Sequence, residues 1–341
     1  MASITQFKIR RPDDFHVHLR EGEMLEAVLP HTAKVFGRAL VMPNLKTPVR
    51  IGVNARHYEE QIRRLSEKTG FEPLMTIKLT QDTDARMISA AASAQVAAVK
   101  LYPEGVTTNS ENGVRDITKL HDTFKAMVDN RMVLCVHAEQ PGVFSMEREL
   151  YYLRNVAAIA SKHPDLKIVI EHATMAETLK FVEEAGPNMA ATITVHHLFI
   201  TLDDVVGDKL NPHNFCKPIA KRPEDRAALI AAALSGKPQF FLGTDSAPHM
   251  KETKECSAGC AGCFTAPIAM PLLAELFDKH DSLASLELFA STNGAKFYGL
   301  QPNSDFITLE RAPGEVPLRY SNDKVHVVPF MAGEKLSWRV A

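Results

Sequence analysis

A chain of 341 residues that is 45% hydrophobic and 23% charged has the composition of a globular protein with a large core, which excludes a disordered or fibrous class. Its formal net charge of −2, with both signs interspersed, leaves no electrostatic footprint for nucleic acid or an anionic membrane and points to a small-molecule partner. Five cysteines cannot make a complete disulfide framework, the N-terminal MASITQFKIRRPDD lacks a signal-peptide apolar run, and no eighteen consecutive apolar residues occur, so a soluble cytoplasmic protein with reduced thiols is expected.

The first apolar run, Asp14–His18, reads as a strand ending on the pair His16 and His18. Side chains alternate across a strand, so the two imidazoles share a face and can grip one ion. Further strands are expected near Ala39–Met42, Leu74–Leu79, Ala97–Leu101, Met132–His137, Lys167–Glu171, Ala191–Val195 and Gln239–Gly243. Between them, Ala55–Thr69, Thr83–Ala94, Ile117–Asn130, Glu147–Lys162, Met175–Ala185 and Pro223–Ser235 carry apolar residues at helical spacing. The recurring βα order predicts an α/β fold, a (β/α)8 TIM-type barrel. The alternative, an open doubly wound sheet, lacks its glycine-rich phosphate fingerprint after the first strand. Beyond Gly243 come a loop rich in Cys and Gly, helices near Ala266–His280 and Leu283–Ala290, and a tail of short β-like runs from about Pro302. A single domain over residues 1–341 follows, with the barrel at about 12–300 and a C-terminal extension at about 301–341 packed on it.

Candidate ligands stand at or just past the C-terminal ends of these strands, where barrel enzymes place their chemistry. His16 and His18 close the first strand, Lys100 stands on the fourth, His137 closes the fifth, His172 follows the sixth and Asp245 the eighth. Four histidines, a lysine and an aspartate suit a pair of borderline cations such as zinc. An ammonium beside two divalent cations would be repelled, so Lys100 must lose its charge; burial favours the neutral amine, which reacts with carbon dioxide to give an anionic carbamate able to bridge two metals. Taken alone, AQVAAVKLYP reads more simply as a strand whose lysine snorkels to solvent, and only the surrounding ligands reverse that reading. Arg20, two residues past His18, offers a planar fork for a carboxylate, against the plainer reading of a surface salt bridge. The loop Gly105–Ser110 is small and polar and reads as a lid, or more plainly as a solvated turn.

At this point the blocks FHVHLR (Phe15–Arg20), MPNLKTP (Met42–Pro48), VKLYP (Val99–Pro103), VHAE (Val136–Glu139), EHAT (Glu171–Thr174), GTDSAPH (Gly243–His249) and CAGCF (Cys260–Phe264) stand in one order. That order resembles the amidohydrolase superfamily and, within it, the shorter bacterial type of dihydroorotase, nearly end to end. The resemblance implies two zinc ions per subunit, one held by His16, His18, Lys100 and Asp245 and the other by Lys100, His137 and His172, with Lys100 carboxylated and bridging. It implies that Asp245 is the general base and acid of a reversible cyclic-amide hydrolysis, between dihydroorotate and carbamoyl aspartate in pyrimidine synthesis. It also implies a carboxylate site made by Arg20, Asn44 and His249, backbone contacts to the ring amides at Lys217 and Ala261, lid contacts from Thr107 and Thr108, and a homodimer.

Some positions depart from this pattern or compete with it. Lys217 stands where the family more often has an apolar residue, but only its backbone is expected to act. Cys256, Cys260 and Cys263 resemble part of a thiolate zinc site that lacks a fourth ligand, and free thiols are the favoured reading. His197 is expected beside the metals rather than on them. Glu139 and Glu171 flank ligands, yet side-chain alternation argues that Glu171 faces away from His172. A hydantoinase-type or dihydropyrimidinase-type cyclic amidase would have no use for the Arg20 set, and a non-catalytic scaffold homologue would be expected to have lost ligands.

Overall fold

The computed structural model describes residues 4–107 and 109–341. Strand β1 (Gln6–Arg10) precedes eight parallel strands: β2 (Asp13–Val17), β3 (Arg38–Val41), β4 (Glu72–Leu79), β5 (Ala98–Leu101), β6 (Val133–Val136), β7 (Ile168–Ile170), β8 (Met189–Ile193) and β9 (Phe240–Leu242). They lie side by side in chain order, and each adjacent pair is parallel. Parallel neighbours need a crossover after every strand, and helices such as Gly52–Ser66, Arg148–Lys162 and Pro223–Leu234 supply it. The ring closes just past β2 and β9: Val17 bridges Ser246, the Asp245 amide donates to the His16 carbonyl at 2.8 Å, and the His18 amide donates to the Ser246 carbonyl at 3.0 Å. The expected TIM-type barrel is the observed fold, with each of the eight expected strands within two residues of its place.

Alternation on the strands decides what the barrel holds. In β5, Val99 and Leu101 pack outward against the helices, whereas Ala98 joins an interior layer with Phe15, Leu40, Met42, Cys135, Val169 and Phe241. Lys100 follows on the same inward face as Ala98, one pleat nearer the C-terminal mouth. The floor is sealed by Phe15, edge-on to Phe241 at 5.4 Å and stacked on Tyr298 at 4.8 Å. Gly294 lets this floor close, since a Cβ there would lie 2.3 Å from the Phe15 ring. An apolar floor confines polar chemistry to the opposite end.

Helix Gly22–Ala33 is not anticipated from sequence: Pro30 lies within it, although Leu25, Val28, Leu29, Thr32 and Ala33 form its buried stripe. The expected helix at Ile117–Asn130 starts as a tighter turn, Ile117–Leu120, before the α-helix His121–Asp129. Past Glu287, the expected helix Leu283–Ala290 widens into a π-helical turn at Leu288–Thr292. In the tail, β10 (Phe306–Glu315) pairs antiparallel with β1 and with β13 (Lys335–Val340), and β11 (Tyr320–Ser321) pairs with β12 (His326–Val327). That an N-terminal strand completes the tail sheet is not anticipated from sequence. No helix among the described residues is long and apolar enough to cross a membrane.

Candidate metal centre and substrate cavity

Strand β2 departs from regular pairing between Asp14 and Val17. Phe15 points to the floor and Val17 outward, while His16 and His18 both reach the mouth. Asp14 fills the irregularity: its carboxylate accepts from the His16 amide at 3.1 Å, the Thr244 amide at 2.8 Å and the Thr244 hydroxyl at 2.6 Å. The segment after β9 is thereby tied to β2, and Asp245, held in a left-handed conformation (φ 44°), is turned toward the two imidazoles. Its Oδ1 lies 3.4 Å from His16 Nε2 and 3.1 Å from His18 Nε2.

Two buried carboxylates fix the tautomers. His16 Nδ1 lies 2.8 Å from Glu171 Oε2, and His137 Nε2 lies 2.7 Å from Glu139 Oε2. Each carboxylate takes the ring N–H, so the lone pairs of His16 Nε2 and His137 Nδ1 face the mouth. His137 Nδ1 stands 3.1 Å from His172 Nε2. Burial lowers the His172 pKa well below the usual imidazole value, reinforced by His137 and Lys100, and burial lowers that of His18 to about 4 against the pull of Asp245. Imidazole nitrogens of His16, His18, His137 and His172 thus converge with a carboxylate oxygen of Asp245 at the mouth, a donor set that suits a cation. His16, His172 and Asp245 offer ligand atoms all within 4.8 Å of one another.

Lys100 is fully buried beneath this group, and its Nζ has no hydrogen-bond partner among the described residues. Burial lowers its pKa despite the nearby charges of Glu171 and Asp245. Asp245 itself is pushed upward by burial, but His16 and the hydrogen bond and charge of His18 outweigh this and hold it well below the usual carboxylate range.

Glu139 and Glu171, which flank candidate ligands in the sequence, each lie against a candidate ligand in the structure, His137 and His16 respectively. Val169 and Glu171 share the inward face of β7 and its extension, in keeping with alternation. The exception is His172: its left-handed backbone (φ 41°) turns it inward as well, and its amide donates to Thr192 Oγ1 at 2.6 Å. A lone non-glycine residue at positive φ leaves no mark in the sequence.

Above this group lies a cavity lined by Arg20, Asn44, Thr107, Lys217 and Ala261 together with His16, His18, His137, His172 and Asp245. Tyr102, Ala247 and Gly262, which sequence reading did not single out, also line it. Arg20 donates from Nε to the Pro248 carbonyl at 3.0 Å and places Nη2 3.0 Å from His249 Nε2, and it makes no ion pair among the described residues. Asn109, in the loop expected as a lid, lies against this mouth. Asn109 donates from its side chain to the carbonyls of Asn44 at 3.0 Å and Leu45 at 3.2 Å, and Lys78 Nζ donates to the Asn109 carbonyl at 2.7 Å. Thr108 lies outside the described residues. His197 stands apart from the cavity, with Nδ1 at 2.9 Å from Thr194 Oγ1 and Nε2 at 3.1 Å from the Pro218 carbonyl. The sulfurs of Cys256 and Cys263 turn to separate carbonyls, of Thr253 and His213.

The amidohydrolase family model matches residues 14–308. The chain is 47% identical to a dihydroorotase of Azoarcus sp. (strain BH72), with the whole of both chains covered. Among solved structures, it superposes on a Campylobacter jejuni dihydroorotase with a TM-score of 0.93 at 40% identity, covering 100% of this chain and 99% of the other. A Saccharomyces cerevisiae dihydroorotase solved with 5-fluoroorotic acid matches with a TM-score of 0.94 at 36% identity, covering 99% of each chain. The chain belongs to the amidohydrolase family and, within it, to the dihydroorotases.

Proposed function

We propose that this protein is a cytoplasmic dihydroorotase that hydrolyses and re-forms the cyclic amide linking (S)-dihydroorotate and N-carbamoyl-L-aspartate in pyrimidine synthesis. The observation that carries the reading is the pairing of two sites in one cavity: a cluster of imidazole and carboxylate donors suited to cations, and an arginine 3.0 Å from His249 with no carboxylate partner among the described residues. A cyclic amide that carries a carboxylate fits both. Hydantoins and dihydropyrimidines lack that carboxylate and would leave Arg20 unpaired.

The donor set fits two zinc ions: His16, His18 and Asp245 would hold one, His137 and His172 the other, and a carboxylated Lys100 would serve as a ligand to both. The buried Lys100 amine, without a hydrogen-bond partner among the described residues, and the converging imidazole nitrogens support this. When bound, such a pair supplies an activated water at neutral pH and polarises the amide carbonyl. The remaining work falls to side chains. Asp245, ionised and held by His16 and His18, takes the proton of the attacking water and returns it to the departing ring nitrogen. Arg20, Asn44 and His249 hold the ring carboxylate, the backbones at Lys217 and Ala261 meet the ring amides, and Thr107 and Thr108 close over the ring and exclude water. We propose one catalytic unit across the chain, working as a homodimer.

The test is a steady-state assay of the metal-loaded protein with dihydroorotate beside hydantoin and dihydrouracil, with metal content measured on the same sample. Turnover of dihydroorotate well above the other two, at two metals per chain, is the expected outcome. A preference for the uncharged rings would overturn the reading.

A further inference from the structure

Lys254 sits on the short helical turn Lys251–Lys254 and is only 3% exposed. It makes no ion pair among the described residues. Instead its ammonium donates to three main-chain carbonyls: Phe215 at 3.1 Å, Cys260 at 3.1 Å, and Gly262. A buried ammonium has three protons to place, and here each finds an oxygen. The acceptors belong to two separate loops, one after β8 and one after β9, which meet where the Gly262 amide donates to the Phe215 carbonyl at 2.8 Å.

Those loops supply one wall of the cavity through Lys217, Ala261 and Gly262. Strand-like pairing reaches them at the bridge between Ser246 and Cys263, one residue past Gly262. Gly262 adopts φ +146°, and a Cβ there would meet the Ala247 carbonyl at 2.4 Å, so this wall depends on backbone conformations that loops do not hold unaided. A cation that gathers three carbonyls of these loops, Cys260 and Gly262 on either side of Ala261 among them, restricts how the intervening peptides can turn.

We infer that Lys254 is a positioning residue for the ring-amide subsite: it clamps the two loops whose backbones meet the substrate, without touching the substrate itself. This rests on the reading of Lys217 and Ala261 given above. It differs from the role of Arg20, which reads the carboxylate, and the difference is measurable. Loss of the clamp weakens binding of any ring that uses those amides, charged or not.

The experiment compares Lys254→Met and Lys254→Arg with the wild-type holoenzyme, at equal metal content. For Lys254→Met, KM for dihydroorotate is expected to rise roughly 10- to 100-fold with kcat changed far less, the pattern of lost binding rather than lost chemistry. The inhibition constant of an uncharged cyclic imide should rise by a similar factor. Lys254→Arg, which keeps the charge and several donors, should recover most of the loss. Hydrogen exchange on a folded Lys254→Gln protein, which lacks the ammonium, provides a second readout should Lys254→Met fail to fold: the Gly262 and Cys260 amides are expected to exchange faster than in the wild type and slow again when ligand binds, whereas Lys254→Arg should exchange nearly as the wild type. An unchanged KM in Lys254→Met overturns the inference, as does a fall in kcat in step with metal loss, a loss confined to the acidic ring, or unaltered exchange at Gly262 in Lys254→Gln. If the wild type itself does not turn over dihydroorotate, the functional reading fails whatever Lys254 does; if it does and the variants behave as wild type, only the clamp fails.

Discussion

Glu171 Oε2 accepts from His16 Nδ1 across 2.8 Å inside the barrel and also from the Thr192 hydroxyl at 2.7 Å. The carboxylate thus sets the tautomer of a proposed ligand and is itself held in place. Burial pushes the Glu171 pKa up, but His16 and Lys100 outweigh it, so the group is anionic where it raises imidazole basicity. Glu171→Gln keeps an acceptor and removes the charge. Metal affinity is expected to fall roughly 10- to 100-fold, read by competition with a chelator on the intact protein. Full metal retention in that variant would remove Glu171 from any role in ligand orientation.

Much of this site is readable in the chain because strand geometry is periodic. His137 ends an apolar run and Lys100 shares a face with Ala98, so counting alternate residues places both in the barrel mouth. The same rule fails at His172, where a left-handed backbone adds a second inward side chain beside Glu171. It falters at Phe15 and His16 too, because an irregularity in β2 turns both inward. Lys254 was invisible for another reason. Its partners are carbonyls of residues 215, 260 and 262, and main-chain acceptors carry no sequence identity. The pairing of β1 with the tail likewise joins segments some three hundred residues apart, beyond any local pattern.

Lys100 is expected to be essential through its amine rather than its bulk. Lys100→Ala should abolish tight binding of one metal and nearly all turnover. Added short-chain carboxylic acids should restore part of the activity by standing in for the carbamate between the cations. The wild-type protein should show the mass of a carboxylated lysine under native conditions and lose it when acidified. Retention of two tightly bound metals by Lys100→Ala would dismiss the bridge.

Arg20 tests the carboxylate reading. Burial lowers its pKa, with only partial relief from the charge of Asp245, and its fork has the Pro248 carbonyl and His249 as neighbours in place of an acid. Arg20→Met should weaken binding of dihydroorotate by about 2–4 kcal/mol, the usual range for breaking a desolvated charged pair. Binding of an uncharged cyclic imide should change much less. Equal losses on the two ligands would assign Arg20 to loop structure rather than to recognition.

His249 gives the pH prediction. Burial, then the charges of Arg20 and Lys254, lower its pKa to about 3 from the ordinary 6.5, with His18 adding to the shift. Below pH 6.5 the unfolded chain takes up a proton at this position that the folded chain refuses, so stability falls as the pH drops from about 6.5 toward 3 and is level above that window. The slope due to this residue is at most about 1.4 kcal/mol per pH unit. His249→Gln removes the titrating ring, and urea unfolding at a series of pH values should show a shallower acid limb than in the wild type, with the two curves parallel above pH 7. Removing the neighbouring charge works in the opposite sense: Arg20→Met should raise the His249 pKa, so that the acid limb due to His249 becomes shorter. If His249→Gln leaves the acid limb unchanged, the imidazole is not held neutral by its surroundings, and it would then be free to meet the substrate carboxylate as a cation rather than as a neutral donor.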